Sequence, residues 1–248
     1  MRDAVRRIAS EADAAARTFL RKPAAVFFTF VFPLILVAIF GAVVSAGSVG
    51  VFGRSQAYYV PGYLAVVVLL TPLSRTSTTV ARHRTHRRFE KLATTPLRRW
   101  EWFAARAAVD AALVLVASLV ILVLLAATGV AVRPSPVLPV AVAVGAAAFS
   151  GVGAVLGWLA DSEDGAIAAS NGVGIPMLFL GETFLAPELL PASLRPAVAL
   201  LPITYFARTV RAATGVTADS SGAPFLVLFA VAVAASVAAV LTLPWTED

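Results

Sequence analysis

The chain has 248 residues, 59% of them hydrophobic and 14% charged, with a mean hydropathy of +0.86. A soluble domain of this size needs more polar surface, so a water-soluble globular fold is excluded. The net charge is +6 and there are no cysteines, which removes disulfide frameworks and thiolate metal sites.

The apolar residues are gathered into long runs, and a helix crossing a bilayer needs roughly 20 of them. The runs predict six transmembrane helices at 26–46, 58–79, 109–130, 137–160, 165–181 and 224–245, the fifth slightly short. The expected class is all-α: one polytopic membrane domain over 1–248. No short apolar core with a small-residue cleavage site begins the chain, so the N-terminus is expected to be retained.

In chain order, residues 1–22 come first. Val5, Ile8, Ala12, Ala15 and Phe19 recur at helical spacing, with Arg2, Arg6, Arg17 and Arg21 off that stripe. A basic helix with a weak apolar face is expected to lie in the headgroup plane, and Pro23 breaks it. Pro33 is expected to kink the first span. Pro61 and Pro72 stand near the two ends of the second. Arg75 at that inner end and Asp110 at the start of the third span could pair, but independent snorkelling to the headgroups is the expected arrangement. Gly153 and Gly157 mark a close-packing face on the fourth span. The acidic turn at Asp161, Glu163 and Asp164 is expected to be solvated, with Asp164 near the cap of the fifth span. Trp245 is expected to lie at a membrane interface.

The segment 82–106 is too polar to cross a membrane and holds eight Lys/Arg against two Glu. With the N-terminal segment it carries 14 basic residues, against five in the other loops. By the positive-inside rule both segments are expected to face the cytoplasm, and six spans then return the C-terminus to that side. The same rule makes the positive charge a topology signal, so no nucleic-acid partner is expected. Within the segment, Thr95-Pro96 is expected to end one short helix and open the next. Phe89, Leu92, Leu97, Trp100 and Phe103 stand among the charges, where exposed apolar groups need headgroups or a partner. His83, His86 and Glu90 fall on one helical face, but flanking arginines make a solvated basic face the expected state rather than a metal site.

The stretch 182–211 is broken by Pro187, Pro191, Pro196 and Pro202. Short re-entrant or interfacial helices on the outer side are expected there. No phosphate-cradling G-x-x-x-x-G-K-[ST] is present. The Asp161 segment resembles the first half of a CDP-alcohol phosphotransferase motif. The second pair of aspartates is missing, so the metal ions would lack ligands.

Taken together the chain resembles the permease subunit of type-2 ABC transporters. The resemblance rests on Glu90, Leu92, Thr95 and Pro96 in E-x-L-x-x-T-P spacing, Arg21 and Pro23 before the first span, and Tyr58, Pro61, Gly62 and Leu64 opening the second. It rests also on Phe179, Leu180, Phe184, Pro187, Leu190, Pro191, Pro202, Thr204, Tyr205 and Arg208 in the outer region. His83 to Arg88 is basic where that family is acidic, and Gly181 falls one place early. The resemblance implies a permease of an ATP-driven exporter, with no cofactor of its own. Its expected partners are a separate ATP-binding subunit carrying ATP and Mg, a second permease copy or a homologous one, and membrane lipids. Phe89, Glu90, Lys91, Leu92, Thr95, Pro96 and Leu97 would then couple to the ATPase, and Gly181, Phe184, Pro191, Pro202, Tyr205 and Arg208 would serve the outer gate. It also implies a prokaryotic cell membrane. An ion-coupled secondary transporter would bury charges at mid-membrane, where these spans have almost none. An anchor for a soluble partner would use the same basic loop without transport.

Overall fold

The computed structural model describes residues 2–45, 54–185, 187–217, 222–243 and 245. The last residue expected in the first span, 46, and residue 244 of the last lie outside the described set. Of the described residues 81% are helical, and no strand occurs among them.

Helix α1 is Arg2–Leu20, with Asp3 in its first turn and Arg17 in its last, the arrangement that complements the helix dipole. Pro23 opens α2, which runs through Pro23–Val26, Phe27–Val31 and Phe32–Ser45. The two helices meet at 94°. Pro33 has no N–H for the Thr29 carbonyl, and the strain is absorbed one turn earlier: Phe27–Val31 is a π turn closed by Phe32 N–H on the Phe27 carbonyl.

The α1 stripe does not simply face lipid. Ala15 and Phe19 are 2% exposed, whereas Val5 is 65% exposed. The buried edge lies against the start of α5 (Arg99–Ala127) through two ion pairs, Arg7–Glu101 and Arg106–Glu11.

Helix α3, Val60–Thr85, follows the 3₁₀ turn Gln56–Tyr59 and forms the centre of the bundle. Every residue from Val60 to Leu69 is buried, as required of a helix with neighbours all round. Helix α4 is Arg88–Ala93, α6 is Val137–Leu159, and α7 is Glu163–Leu180. Helices α5, α6 and α7 surround α3. The α3–α6 contact is the closest: a Cβ on Gly153 would sit 2.5 Å from the Leu73 carbonyl oxygen, and one on Gly157 would overlap the Ser77 carbonyl. The two glycines thus seat α6 on α3 of the same chain. Gly151 does the same for α10 (Ala223–Thr242), whose Ala235 backbone lies 2.6 Å from the missing Cβ. The lipid-facing surface is apolar: Leu119 and Val123 on α5, Phe229, Val233 and Leu241 on α10 are all exposed.

Two helix limits differ from expectation. α3 extends six residues past 79 and α5 begins ten before 109, so most of the basic segment is helical. Among the described residues four helices are long and apolar enough to cross a membrane: Gln56–Thr85, Arg99–Ala127, Val137–Leu159 and Ala223–Thr242. The bent pair Asp3–Leu20 and Pro23–Ile39 brings the number to five. α7, with Glu163, Asp164 and Asn171, does not meet that measure.

At the end opposite the basic segment lie the 3₁₀ turn Pro187–Leu189, α8 (Arg195–Ala199) and α9 (Pro202–Ala213). Pro196 and Pro202 each stand in a first turn, where a missing N–H costs nothing. Ile203, Phe206, Ala207 and Val210 form the buried face of α9.

Candidate functional site

At the basic end, α3 stops because Arg87 takes a left-handed conformation, φ 52°, between Thr85 and Arg88. This turn splits the helix that would have presented His83, His86 and Glu90 on one face. His83 is buried, its ring 5.3 Å from Phe89 and 5.5 Å from Trp102. His86 Nδ1 lies 2.9 Å from the Arg82 carbonyl. The expected solvated face is therefore corrected at His83.

Phe89 and Phe103, expected among solvated charges, are buried too. The Phe89 ring lies 5.2 Å from Trp102 and 6.0 Å from Trp245, and Val80, Ala154, Ala239 and Leu243 close the cluster. Trp245 thus meets α4. Leu92 and Leu97 border the cluster from the loop side. The face of α4 away from it carries Lys91 and the half-buried Glu90, which is 3.9 Å from Arg87. Thr94, Thr95 and Pro96 are exposed, as are Arg98, Arg99 and Trp100. Thr95 Oγ1 donates to the Leu92 carbonyl at 2.6 Å and so ends α4. Pro96 does not open the next helix. That helix starts three residues later, where Arg98 N–H donates to Glu101 Oε2 at 2.9 Å.

Ion pairs bind this end together. Arg7 grips the fully buried Glu101 with two bonds, Nε at 2.9 Å and Nη2 at 2.5 Å. Arg106 meets Glu11 at 2.8 Å while stacking 5.3 Å over Trp102. The acidic turn is not simply solvated: Glu163 is 3.7 Å from Arg82, and Arg84 donates to the Trp158 and Ala160 carbonyls. Ser162, not Asp164, caps α7, its Oγ accepting from Gly165 N–H at 3.0 Å.

One turn deeper, Arg75 and Asp110 form the pair that was expected only as an alternative. The distance is 2.7 Å. Asp110 is 2% exposed and also accepts from Thr76 at 2.8 Å and Ser150 at 3.0 Å, so one carboxylate ties α3, α5 and α6. Arg75 lies 4.4 Å over Phe19, which brings in α1. Snorkelling loses because a buried carboxylate without its cation is far costlier than a paired one.

At the opposite end, Glu182 is the hub. It has φ 59° and is 5% exposed. Arg208 donates to its carboxylate at 2.9 and 2.6 Å, and Arg211 donates to its backbone carbonyl. The carboxylate raises the Arg208 pKa, whereas burial lowers that of Arg211. Arg211 also sits 4.3 Å over Tyr58, and Arg54 bridges Tyr58 at 5.2 Å to Glu188 at 3.3 Å. Of the residues expected here, Gly181, Phe184, Pro202, Tyr205 and Arg208 converge. A Cβ on Gly181 would strike Ile203 of α9, and Phe184 fills the space beside Gly62, 6.2 Å from Tyr63. Pro191 is exposed and stands apart. Glu182 was missed; an acid beside a glycine at the end of an apolar run was the available signal.

A cavity of about 840 Å³ lies between these ends, walled by α1, α2, α3 and α7, with Asn171 in its lining.

The architecture is thus that of a multi-pass helical membrane protein with a basic, aromatic-keyed segment at one end. The ABC-2 type transporter family model matches residues 10–214, and the chain belongs to that family. It is a permease, the membrane component of a transport system. No curated protein matches it.

Proposed function

We propose that this permease serves an ATP-driven exporter and that α4 receives the motion of a separate ATP-binding subunit, which holds ATP and Mg. The observation that carries this reading is the two-sided construction of α4. Phe89 is keyed into rings from α3, α5 and the chain end at Trp245. The opposite face, with Glu90, Lys91, Thr95 and Pro96, has no helix over it among the described residues. A push on that face is delivered to three elements at once. Leu92 and Leu97 hold its edges. By the positive-inside rule this end, and both termini, would face the cytoplasm, and the membrane would be a prokaryotic cell membrane.

Two permease copies, identical or homologous, would enclose the path. The outer cluster of Gly181, Phe184, Pro202, Tyr205 and Arg208, with Pro191 at its rim, would gate it. Such coupling requires contacts that differ between the two states. α7 would complete a six-span set as a helix sheltered by its neighbours, which is how its polar residues are tolerated.

Co-reconstitution with the ATP-binding subunit tests this. Glu90→Arg and Pro96→Ala are expected to lower permease-stimulated ATPase while leaving the permease folded. Full stimulation in both variants would remove α4 from the coupling path.

A further inference from the structure

The face presented by α4 and the start of α5 is cationic. Arg87 beside α4, Arg88 and Lys91 on it, and Arg98 and Arg99 at the start of α5 are exposed, and from Arg84 to Trp100 the one acid is the half-buried Glu90. Glu90 lies 3.9 Å from Arg87 and offsets little. Arg88, Lys91, Arg98 and Arg99 have no carboxylate partner among the described residues. Like charges gathered on one short segment repel, and an opposed surface of the other sign relieves that repulsion. Trp100 stands beside them. It is 43% exposed, whereas Trp102 is fully buried. Residues two apart on a helix point about 200° apart, so the turn that sets Trp102 into the bundle sets Trp100 outward. Arginine and tryptophan are the residue types that most often carry the energy of a protein interface.

An anionic bilayer also suits arginine and tryptophan, but two features favour a protein. α3 runs to Thr85 before the turn at Arg87, which carries α4 about 9 Å along the helix axis beyond the expected end of that span at 79. The neighbouring turn is acidic: Asp161 and Asp164 are exposed, and Arg84 and Arg82 tie that turn to the end of α3 through the Ala160 carbonyl and Glu163. A flat anionic surface that reached α4 would also meet these carboxylates and be repelled. A shaped protein surface offers acids to the one and not to the other.

We propose that the surface of the ATP-binding subunit that receives α4 is acidic, with Asp and Glu side chains set against Arg88, Arg98 and Arg99 and an apolar pocket for Trp100. This rests on the coupling reading of α4 and adds the chemistry of the partner to it. Exposed charges steer the approach and fade with salt, whereas a desolvated ring sets how long the complex lasts.

The test measures association and dissociation rates between the full chain in neutral-lipid nanodiscs and the ATP-binding subunit that purifies with it. The association rate is expected to fall about tenfold between about 50 and about 500 mM salt. The double variant Arg88→Glu/Arg99→Glu is expected to associate about tenfold more slowly at low salt with little change in dissociation, and Arg88→Lys/Arg99→Lys to behave as the unaltered chain. Both reversals put an acid in a first helical turn, which the helix dipole favours, so the fold is retained. Trp100→Ala is expected to speed dissociation about tenfold at an unchanged association rate. Rates indifferent to salt and to charge reversal would overturn the proposal. So would a double variant that loses binding to anionic-lipid vesicles at full affinity for the ATP-binding subunit, because the patch would then read a membrane. Absence of any ATP-binding subunit from the purified wild-type chain would remove the coupling reading, and this inference with it.

Discussion

The two ends of this bundle are held by different physics. At the basic end, rings make the contacts: Phe89, His83, Trp102 and Trp245 interlock, and the ion pairs Arg7–Glu101 and Arg106–Glu11 clamp α1 beside them. Removing any one charge there leaves the aromatic body in place. At the opposite end, one residue, Glu182, satisfies two arginines from α9 while held in a left-handed conformation. Close packing resists gradual deformation, whereas a single ionic hub has two states, made or broken. Under the proposed function the first end would transmit a push and the second would open.

The sharpest test of this contrast is Phe89→Ala. Emptying the centre of the ring cluster is expected to cost about 3–5 kcal/mol, read as a lower melting temperature in detergent, together with loss of coupling. A loss of coupling at full stability would mean that Phe89 touches a partner rather than its own chain.

Next come the two residues with positive φ. Left-handed backbone costs an L residue roughly 1–2 kcal/mol, and glycine relieves it. Arg87 is exposed, and its ion pair with Glu90 at 3.9 Å is the kind worth little. Arg87→Gly is therefore expected to leave stability unchanged or raise it by up to about 1 kcal/mol. Glu182→Gly is expected to lower it by about 2 kcal/mol, because two charge-assisted bonds to Arg208 vanish with the strain. Equal and positive shifts in both variants would break the claim that Glu182 is a hub.

The smallest effect on stability is expected from Glu90→Arg and Pro96→Ala. Both positions lie at the surface of α4 or just beyond it, and a shift within about 0.5 kcal/mol is expected in thermal unfolding. Coupling to ATP hydrolysis should nevertheless fall, which separates a contact face from a structural one.

Much of this was legible in the residues. Composition and run length gave the helical class, and the order of proline, tyrosine and glutamate motifs pointed to the family. What failed did so for tertiary reasons. The limits of α3 and α5 moved into the charged segment because backbone hydrogen bonds are indifferent to side-chain polarity once partners such as Arg7 and Glu11 reach across from α1. Phe89 looked like an exposed aromatic because Trp102 and Trp245, which cover it, lie 13 and 156 residues away in sequence. Arg75 and Asp110 were both singled out, but their meeting depends on how α3 and α5 cross. The cavity at Lys22 depends on the 94° bend after α1, which Pro23 signals in place but not in angle.

The most direct measurement exploits the absence of native cysteine. Lys91→Cys on α4 and Glu188→Cys at the opposite end, each labelled with a photo-crosslinker in native membranes, report what touches the two surfaces. The Lys91→Cys variant is expected to capture an ATP-binding subunit and the Glu188→Cys variant is not. Capture from both positions, or from Glu188→Cys alone, would contradict the coupling role of α4.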